Sequence, residues 1–385
     1  MKLFISAGEP SGDLHGANLI RALRKQSPDI EIIGFGGPRI ASAGAELLFP
    51  LTNLASMGLV GLKGILQHVR LLDDAERCLR AKRPDAVVLI DYPEFNFVLA
   101  GRAKAIGIPV YYFVPPQIWA WRRGRVRQLR KWCDGVFSAL PFEDKWFRSR
   151  RVPTYYVGHP YFDELAQQRL DPEFLGEQLG KSGRIVAILP GSRNGEVAAN
   201  FAMMLAAAIK IHAGYPDSRF MVAAFSEAHA ATIRKVIETN GALNLPIEVH
   251  VGRTPEIIEL AIACIAVSGS VSLEIMFRAK PAIIVYRLKS IVLWLVRKLI
   301  NLPFFTLVNL YAEEMLFPEI ATSRDESDRI SRQVLEWLND EDSRLSLVGR
   351  LQALRDRVAI SGACERTASY LLSAVEKNHQ VFHAA

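Results

Sequence analysis

One pattern constrains this chain more than any other: short apolar, β-branched runs alternate with helically spaced stretches, and the series occurs twice. The first set of predicted strands is Lys2–Ser6, Ile32–Phe35, Asp85–Ile90, Val110–Val114, Gly135–Ala139 and Thr154–Val157. Leu14, Ala17, Ile20 and Leu23 give the helical spacing after the first of them. A polar stretch, Gln167–Ser182, reads as a linker, and the pattern restarts at Arg184. Ile185–Leu189, Phe220–Ala224, Ile247–Val251, Cys264–Val267 and Ala282–Val285 form the second set. Alternation of this kind implies an α/β fold with mostly parallel sheets, whose ligands sit beyond the carboxyl ends of the strands. The expected layout is two Rossmann-like β/α/β domains, residues 1–168 and 183–340, facing a central cleft. C-terminal helices fill 341–385, with Arg344–Val358 and Arg366–Lys377 packing on the first domain or on a second subunit of a homodimer.

The loops at predicted strand ends carry the chemistry. Ile185–Leu189 stops at Pro190-Gly191 and runs through Ser192-Arg193 to Glu196, where a helix pattern resumes. Backbone N–H groups at a helix start, with a guanidinium beside them, suit a phosphate; an ordinary turn with a solvated Arg is the plain alternative. Ala7–Asp13, containing Ser11-Gly12-Asp13, is a second anion-friendly loop ahead of a helix at Leu14–Lys25. Ser268-Gly269-Ser270 ends another strand, with Ser270 placed to cap the helix and Glu274 about one turn in. An acid there can accept ribose hydroxyls or simply complement the helix dipole. Asp91 ends the most apolar strand of the first half, where a carboxylate could take a proton; a strand-end acid in a turn beside Pro93 is the alternative.

Composition narrows the classes. Half of the residues are hydrophobic and 23% are charged, which excludes a disordered chain. The net charge of +7 suits an anionic ligand or membrane surface. Four scattered cysteines without a Cys-x-x-Cys pair indicate neither zinc nor a disulfide framework. The N-terminus is too short in apolar residues for a signal core, and no apolar stretch approaches ~20 residues, so a cytoplasmic protein without a spanning segment is expected. Asp340-Glu341-Asp342 lies in a polar run, so no metal and no cofactor are expected. Trp119-Ala120-Trp121 before Arg122, Arg123, Arg125, Arg127 and Arg130 lacks any RNA-binding signature, so no nucleic acid is expected. Gly-x-Gly-x-x-Gly is absent after the first strand, which argues against a dinucleotide oxidoreductase. Two segments, Leu59–Leu72 and Leu288–Phe305, mix apolar and basic residues as interfacial anchors do. Their candidate membrane contacts are Leu62, Leu66, Val69, Trp294, Arg297 and Lys298; packing against the rest of the protein is the alternative.

Several loops together resemble the lipid-A-disaccharide synthase family. They are Ala7–Asp13, Gly36–Arg39, Met57-Gly58, Asp91–Asn96, Trp119–Arg122, Leu140–Glu143, Val157–Pro160, Leu189–Arg193 with Glu196, and Ser268–Glu274, in order from residue 3 to about 320. The resemblance implies a GT-B glycosyltransferase of family 19. It implies inverting transfer of 2,3-diacylglucosamine from its UDP derivative to the 6-hydroxyl of 2,3-diacylglucosamine 1-phosphate, giving a β-1,6 disaccharide of the lipid A pathway. Both substrates would then be partners, together with an anionic membrane, at the inner face of the inner membrane. Asp91 falls where the family has its general base, and Arg193, Glu274 and Asn309 where it meets UDP. Ser11, Gly12, Asp13, Asn96, Trp119, Gly191, Ser192, Glu196, Ser268, Gly269 and Ser270 lie in the matched loops as further binding candidates. His15 and His159 lie there too, with structural roles equally expected. The chain departs at Val60-Gly61-Leu62, where the family usually has an acid, and at Ala312-Glu313-Glu314, where Ala-Gly-Arg is common. Another UDP-sugar transferase or epimerase with soluble substrates would share the nucleotide loops without needing the apolar segments.

Overall fold

The computed structural model describes residues 1–52, 62–299 and 302–383. The chain divides into two compact units, Met1–Ala166 with Ile360–Ala385, and Gln167–Ala359.

The first unit holds β1 (Lys2–Ala7), β2 (Glu31–Phe35), β3 (Glu46–Phe49), β4 (Ala86–Ile90), β5 (Val110–Phe113), β6 (Gly135–Ser138) and β7 (Thr154–Tyr156). They form one sheet in the order β3-β2-β1-β4-β5-β6-β7, with every pairing parallel. β4 is buried at all five positions, as expected of a strand covered on both faces. Leu19, Ile20 and Leu23 of the helix Pro10–Gln26 cover one face with Ala368, Leu371 and Val375 of the helix Ala363–His383. Leu71, Leu72, Ala75 and Leu79 of the helix Leu62–Lys82 cover the other, with Phe95, Leu99 and Ala103 of the helix Pro93–Ala105.

The second unit holds β8 (Arg184–Leu189), β9 (Ser218–Ala224), β10 (Ile247–Val251), β11 (Ala263–Val267), β12 (Ala282–Arg287) and β13 (Glu319–Thr322). Their order is β10-β9-β8-β11-β12-β13, again all parallel. The helix Asn194–Gly214 is long and apolar enough to cross a membrane by length and composition. It packs Val197, Phe201, Met204, Leu205, Ala208 and Ile211 into the core on the second sheet.

Four expectations need correction. The stretch 167–182 is not a bare linker: Asp171 accepts hydrogen bonds from Glu173 N and Phe174 N and starts a helix, Pro172–Leu179. Few of its residues are apolar, so its periodicity is weak; the unit boundary precedes it. Second, the helix expected from Leu14 begins at Pro10, because proline is well suited to a first helical position. Third, β3 and β13 are absent from the expected strands; each has only four residues, β13 with two apolar positions, Ile320 and Ala321, and β3 with an apolar run, Leu47-Leu48-Phe49, too short to stand out and no more than half-buried. Fourth, the C-terminal helices part company. Glu341–Val358 stays with the second unit, capped by Asp340 accepting from Ser343 N. Ala363–His383 belongs to the first, where the carboxylate of Asp163 accepts from Gly362 N, Ala363 N and Cys364 N.

Candidate active site

In both sheets the strand order reverses beside the first strand, between β1 and β4 and between β8 and β11. Such a switch point opens a crevice at the carboxyl ends, where open α/β sheets bind ligands. The loops singled out in the sequence leave from these four strands.

At the first switch point Ala7 lies beside Ile90 in register, so Gly8-Glu9 and Asp91-Tyr92 emerge side by side. Asp91 has φ +48 and Tyr92 φ +47, a left-handed conformation that aspartate tolerates and tyrosine does not favour. Val114 after β5 and Arg122 beyond it share it, at φ +51 and φ +56. Strain gathered at one end of a sheet persists only where surrounding contacts over-determine it. Here the Asp91 carbonyl accepts from Tyr112 Oη at 2.6 Å and from Asn96 Nδ2 at 2.7 Å. Asn96 also donates to the carbonyls of Ser6 and Ile90 and accepts from Ser6 Oγ. A Cβ on Gly8 would come within 2.2–2.7 Å of the Tyr92 ring, so the ring's seat requires glycine. Burial, then Glu9 and Glu94, raise the Asp91 pKa to about 7, against the backbone N–H of Tyr92. A carboxylate that titrates near neutrality at a strand end is matched to general-base work.

The remaining candidates of this unit are placed as follows. Asp13 is buried and spends its carboxylate on Gly37 N, Arg39 N and Ile40 N, so it caps the next helix, Pro38–Ser42. Ser11 is exposed and Gly12 buried in the first turn of their helix. Trp119 is buried and its indole donates to Glu143 Oε1 at 2.9 Å. Burial pushes Glu143 up to about 8, against hydrogen bonds from Trp119 and the N–H groups of Ala139 and Leu140. Arg122 and Arg125 both reach Glu94. His15 and His159 face each other with ring centroids 5.9 Å apart. Burial lowers them to about 3 and about 4, His15 further so by His159 and Arg39, which leaves both neutral near pH 7.

At the second switch point Ala266 pairs with Leu189, bringing the Gly191–Arg193 and Ser268–Ser270 loops together. Gly191 has φ +109, and a Cβ there would lie 2.7 Å from Glu196 Oε2. That oxygen accepts the N–H groups of Ser192 and Arg193, and Arg193 Nη1 meets Glu196 Oε1 at 2.8 Å. The N–H donors foreseen for phosphate are therefore engaged internally, while the Arg193 side chain is 73% exposed. Ser268 is half-buried, Gly269 and Ser270 are exposed, and Ser270 makes no capping bond through its side chain; its backbone is helical, φ −58, ψ −25, so its hydroxyl is not aimed at the helix end. Glu274 is buried, 3.6 Å from Arg278 Nε. Asn309 is fully buried, and its amide is spent on the turn before β13. Nδ2 donates to Phe317 O and Glu319 Oε1, and Oδ1 accepts from Leu316 N and Phe317 N. Glu313 closes the helix Leu307–Ala312 at φ +59, and Glu314 pairs with Arg350 at 2.7 Å.

Among the membrane candidates, Leu66 and Val69 are exposed on the helix Leu62–Lys82. Trp294 is exposed on the helix Ser290–Leu299, with Lys298 Nζ 5.0 Å over its ring. The side chains of Leu62 and Arg297, and all of 53–61, including Leu59, Val60 and Gly61, lie outside the described residues.

A family model described as Lipid-A-disaccharide synthetase matches residues 3–368. The lipid-A-disaccharide synthase of Myxococcus xanthus is 34% identical over 375 residues, covering 96% of this chain and 97% of that one. That of Geobacter sulfurreducens is 32% identical over 381 residues, covering 98% of each. Among solved structures, UDP-GlcNAc 2-epimerase from Neisseria meningitidis bound to UDP-GlcNAc superposes with a TM-score of 0.68 at 13% identity, over 97% of this chain and 100% of that one. Acinetobacter baumannii MurG gives 0.57 at 14% identity, over 97% and 99%. Likeness at such low identity concerns the fold, which is of the two-domain GT-B kind.

Proposed function

We propose a specific transfer for this chain, which belongs to the lipid-A-disaccharide synthase family and is a glycosyltransferase of lipid A biosynthesis. The donor is UDP-2,3-diacylglucosamine and the acceptor 2,3-diacylglucosamine 1-phosphate. Asp91 takes the proton of the acceptor 6-hydroxyl as its oxygen attacks the anomeric carbon from the face opposite UDP, so the configuration inverts. The C1–O bond to the diphosphate breaks, and UDP leaves with the electron pair. The observation that carries this reading is Asp91 itself, a carboxyl raised to about 7 on a strained turn at a sheet switch point. One base and a stabilised leaving group are all that inversion asks for; a covalent intermediate would need a nucleophile as well. Arg193 meets the departing diphosphate, its exposed guanidinium being suited to phosphate oxygens.

Acyl substrates place the reaction at a membrane. Drawing an acyl chain into water costs ~0.8 kcal/mol for each CH₂ exposed. Exposed Leu66, Val69, Trp294 and Leu295, with Lys298 beside the tryptophan, support peripheral binding at an anionic inner-membrane surface facing the cytoplasm. Radiolabelled acceptor, offered with UDP-2,3-diacylglucosamine on anionic vesicles, tests the whole reading. Labelled disaccharide 1-phosphate and stoichiometric UDP are expected; transfer to a water-soluble acceptor instead would contradict it.

A further inference from the structure

We propose that His68 is a positioning residue for this transfer: through the hydroxyl of Tyr92 it holds the turn that carries Asp91. The proposal rests on Asp91 being the base. His68 projects from the helix Leu62–Lys82, and its Nε2 lies 2.7 Å from Tyr92 Oη. Either neutral tautomer completes that bond, the imidazole donating or the phenol donating. The two rings have centroids 6.0 Å apart, and each also packs on Phe95, at 6.0 and 6.2 Å.

The need for such a pin follows from the backbone. Asp91 and Tyr92 are successive left-handed residues, a conformation aspartate tolerates and the bulky tyrosine does not favour. The carbonyl of Asp91 is held from within the sheet and its following helix, by Tyr112 and Asn96. Those bonds fix the peptide after Asp91 but not the outer side of the turn. There Tyr92 leans on Gly8 with its ring and reaches His68 with its hydroxyl. His68, 24 positions before Tyr92 in sequence, thus ties the turn to the helix Leu62–Lys82. That helix shows Leu66 and Val69 to solvent, within three residues of His68. An acid–base group must sit within hydrogen-bond reach of its proton, so a small drift of the turn is felt in turnover before it is felt in nucleotide binding.

The groups facing Asp91 set what release would do to its titration. Glu9 and Glu94 raise it, the latter shared with Arg122 and Arg125; Tyr112 presents its hydroxyl, while that of Tyr92 is turned to the His68 imidazole. Burial is the largest influence, so a loosened, wetter turn lowers the Asp91 pKa.

The test compares purified full-length His68→Ala, Tyr92→Phe, the double variant, His68→Gln and Asp91→Asn. It measures kcat, both KM values, UDP affinity by calorimetry and the pH dependence of kcat. His68→Ala and Tyr92→Phe should each lower kcat roughly three- to ten-fold, the rate equivalent of one hydrogen bond. UDP affinity should hold, the acid limb should move to lower pH, and the double variant should be no worse than either single. Glutamine, whose amide can stand near the Nε2 position, should restore most of the rate. If His68→Ala does not fold, Tyr92→Phe, which removes one oxygen, decides alone. Folded variants with parental kcat and pH profile, or an additive double, overturn the proposal while Asp91→Asn stays inactive. An active Asp91→Asn overturns instead the base assignment beneath it.

Discussion

At the β1/β4 switch point the chain gathers carboxylates, Glu9, Asp91 and Glu94, on a backbone where two residues in a row are left-handed. At the β8/β11 switch point the exposed charge is the guanidinium of Arg193, and glycine takes the one left-handed position of its loop, Gly191. The strand order reverses in the same way in both units, but the chemistry differs, as do the tasks proposed for the two sites, those of a base and of a diphosphate clamp. A base must be held at one place with a tuned pKa, so the first site stores strain and pins it with Asn96 and Tyr112. A leaving group needs charge that can reach it, so the second leaves a long side chain in solvent and keeps its backbone relaxed. Fold-level likeness to UDP-sugar enzymes could not have distinguished the two sites; the side chains do.

Substitutions should separate the two sites, beginning with the largest effect. Asp91→Asn should keep the fold and UDP affinity yet lose ~10²–10⁴-fold in turnover, since the amide cannot accept the proton. A purified variant with near-parental rate would remove Asp91 from catalysis. Arg193→Ala should weaken UDP binding by about ten- to a hundred-fold, the worth of a charge-assisted hydrogen bond; unchanged calorimetric affinity would sink its assignment.

Smaller effects test the frame around the sites. Glu143 is raised to about 8 by burial, so its contribution to stability is present below its unfolded value and is lost as pH rises through about 8. Relative to a variant without this carboxyl, the parent should therefore lose stability between about pH 4 and 9, by up to ~1.4 kcal/mol for each pH unit in which the unfolded carboxyl alone is ionised. Glu143→Gln, which still accepts from Trp119, should flatten that slope in denaturant titrations, and an unchanged slope would show that another group titrates. His15 and His159 act oppositely: their lowered pKa values withdraw stability as pH falls below about 6.5. Smallest, Glu313→Gly should stabilise by about 0.5–1 kcal/mol, because φ +59 favours glycine there. A loss of stability would mean that the glutamate side chain holds that loop.

How much of this was legible in the sequence depends on how far each signal reaches along the chain. Strand ends announce themselves locally, since an apolar run stops at Asp91 or at Pro190-Gly191, and both switch-point loops were found that way. The α/β class followed from the same alternation. What the sequence hid is long-range. Asp13 looked like a phosphate-loop acid, but its partners are 24 to 27 positions away at Gly37, Arg39 and Ile40. Asn309, placed at the nucleotide by resemblance, is consumed by its own loop, which no pattern of residue types announces. His68 and Tyr112 carried no signal, because their importance lies in reaching the Asp91 turn from separate elements. The helix Pro172–Leu179 was missed for the opposite reason: its cap at Asp171 is local, but its weak apolar periodicity hid it.

If the Asp91 carboxyl, raised to about 7 chiefly by burial, performs the proton transfer, the pH dependence of kcat/KM reports it directly. Measured with saturating UDP donor and varied acceptor, the rate should climb tenfold for each pH unit below about 7, then level off as Asp91 is fully ionised. A profile already flat from pH 5 to 8 would contradict the account, since the base would then titrate as an ordinary exposed carboxylate or not exist at this position.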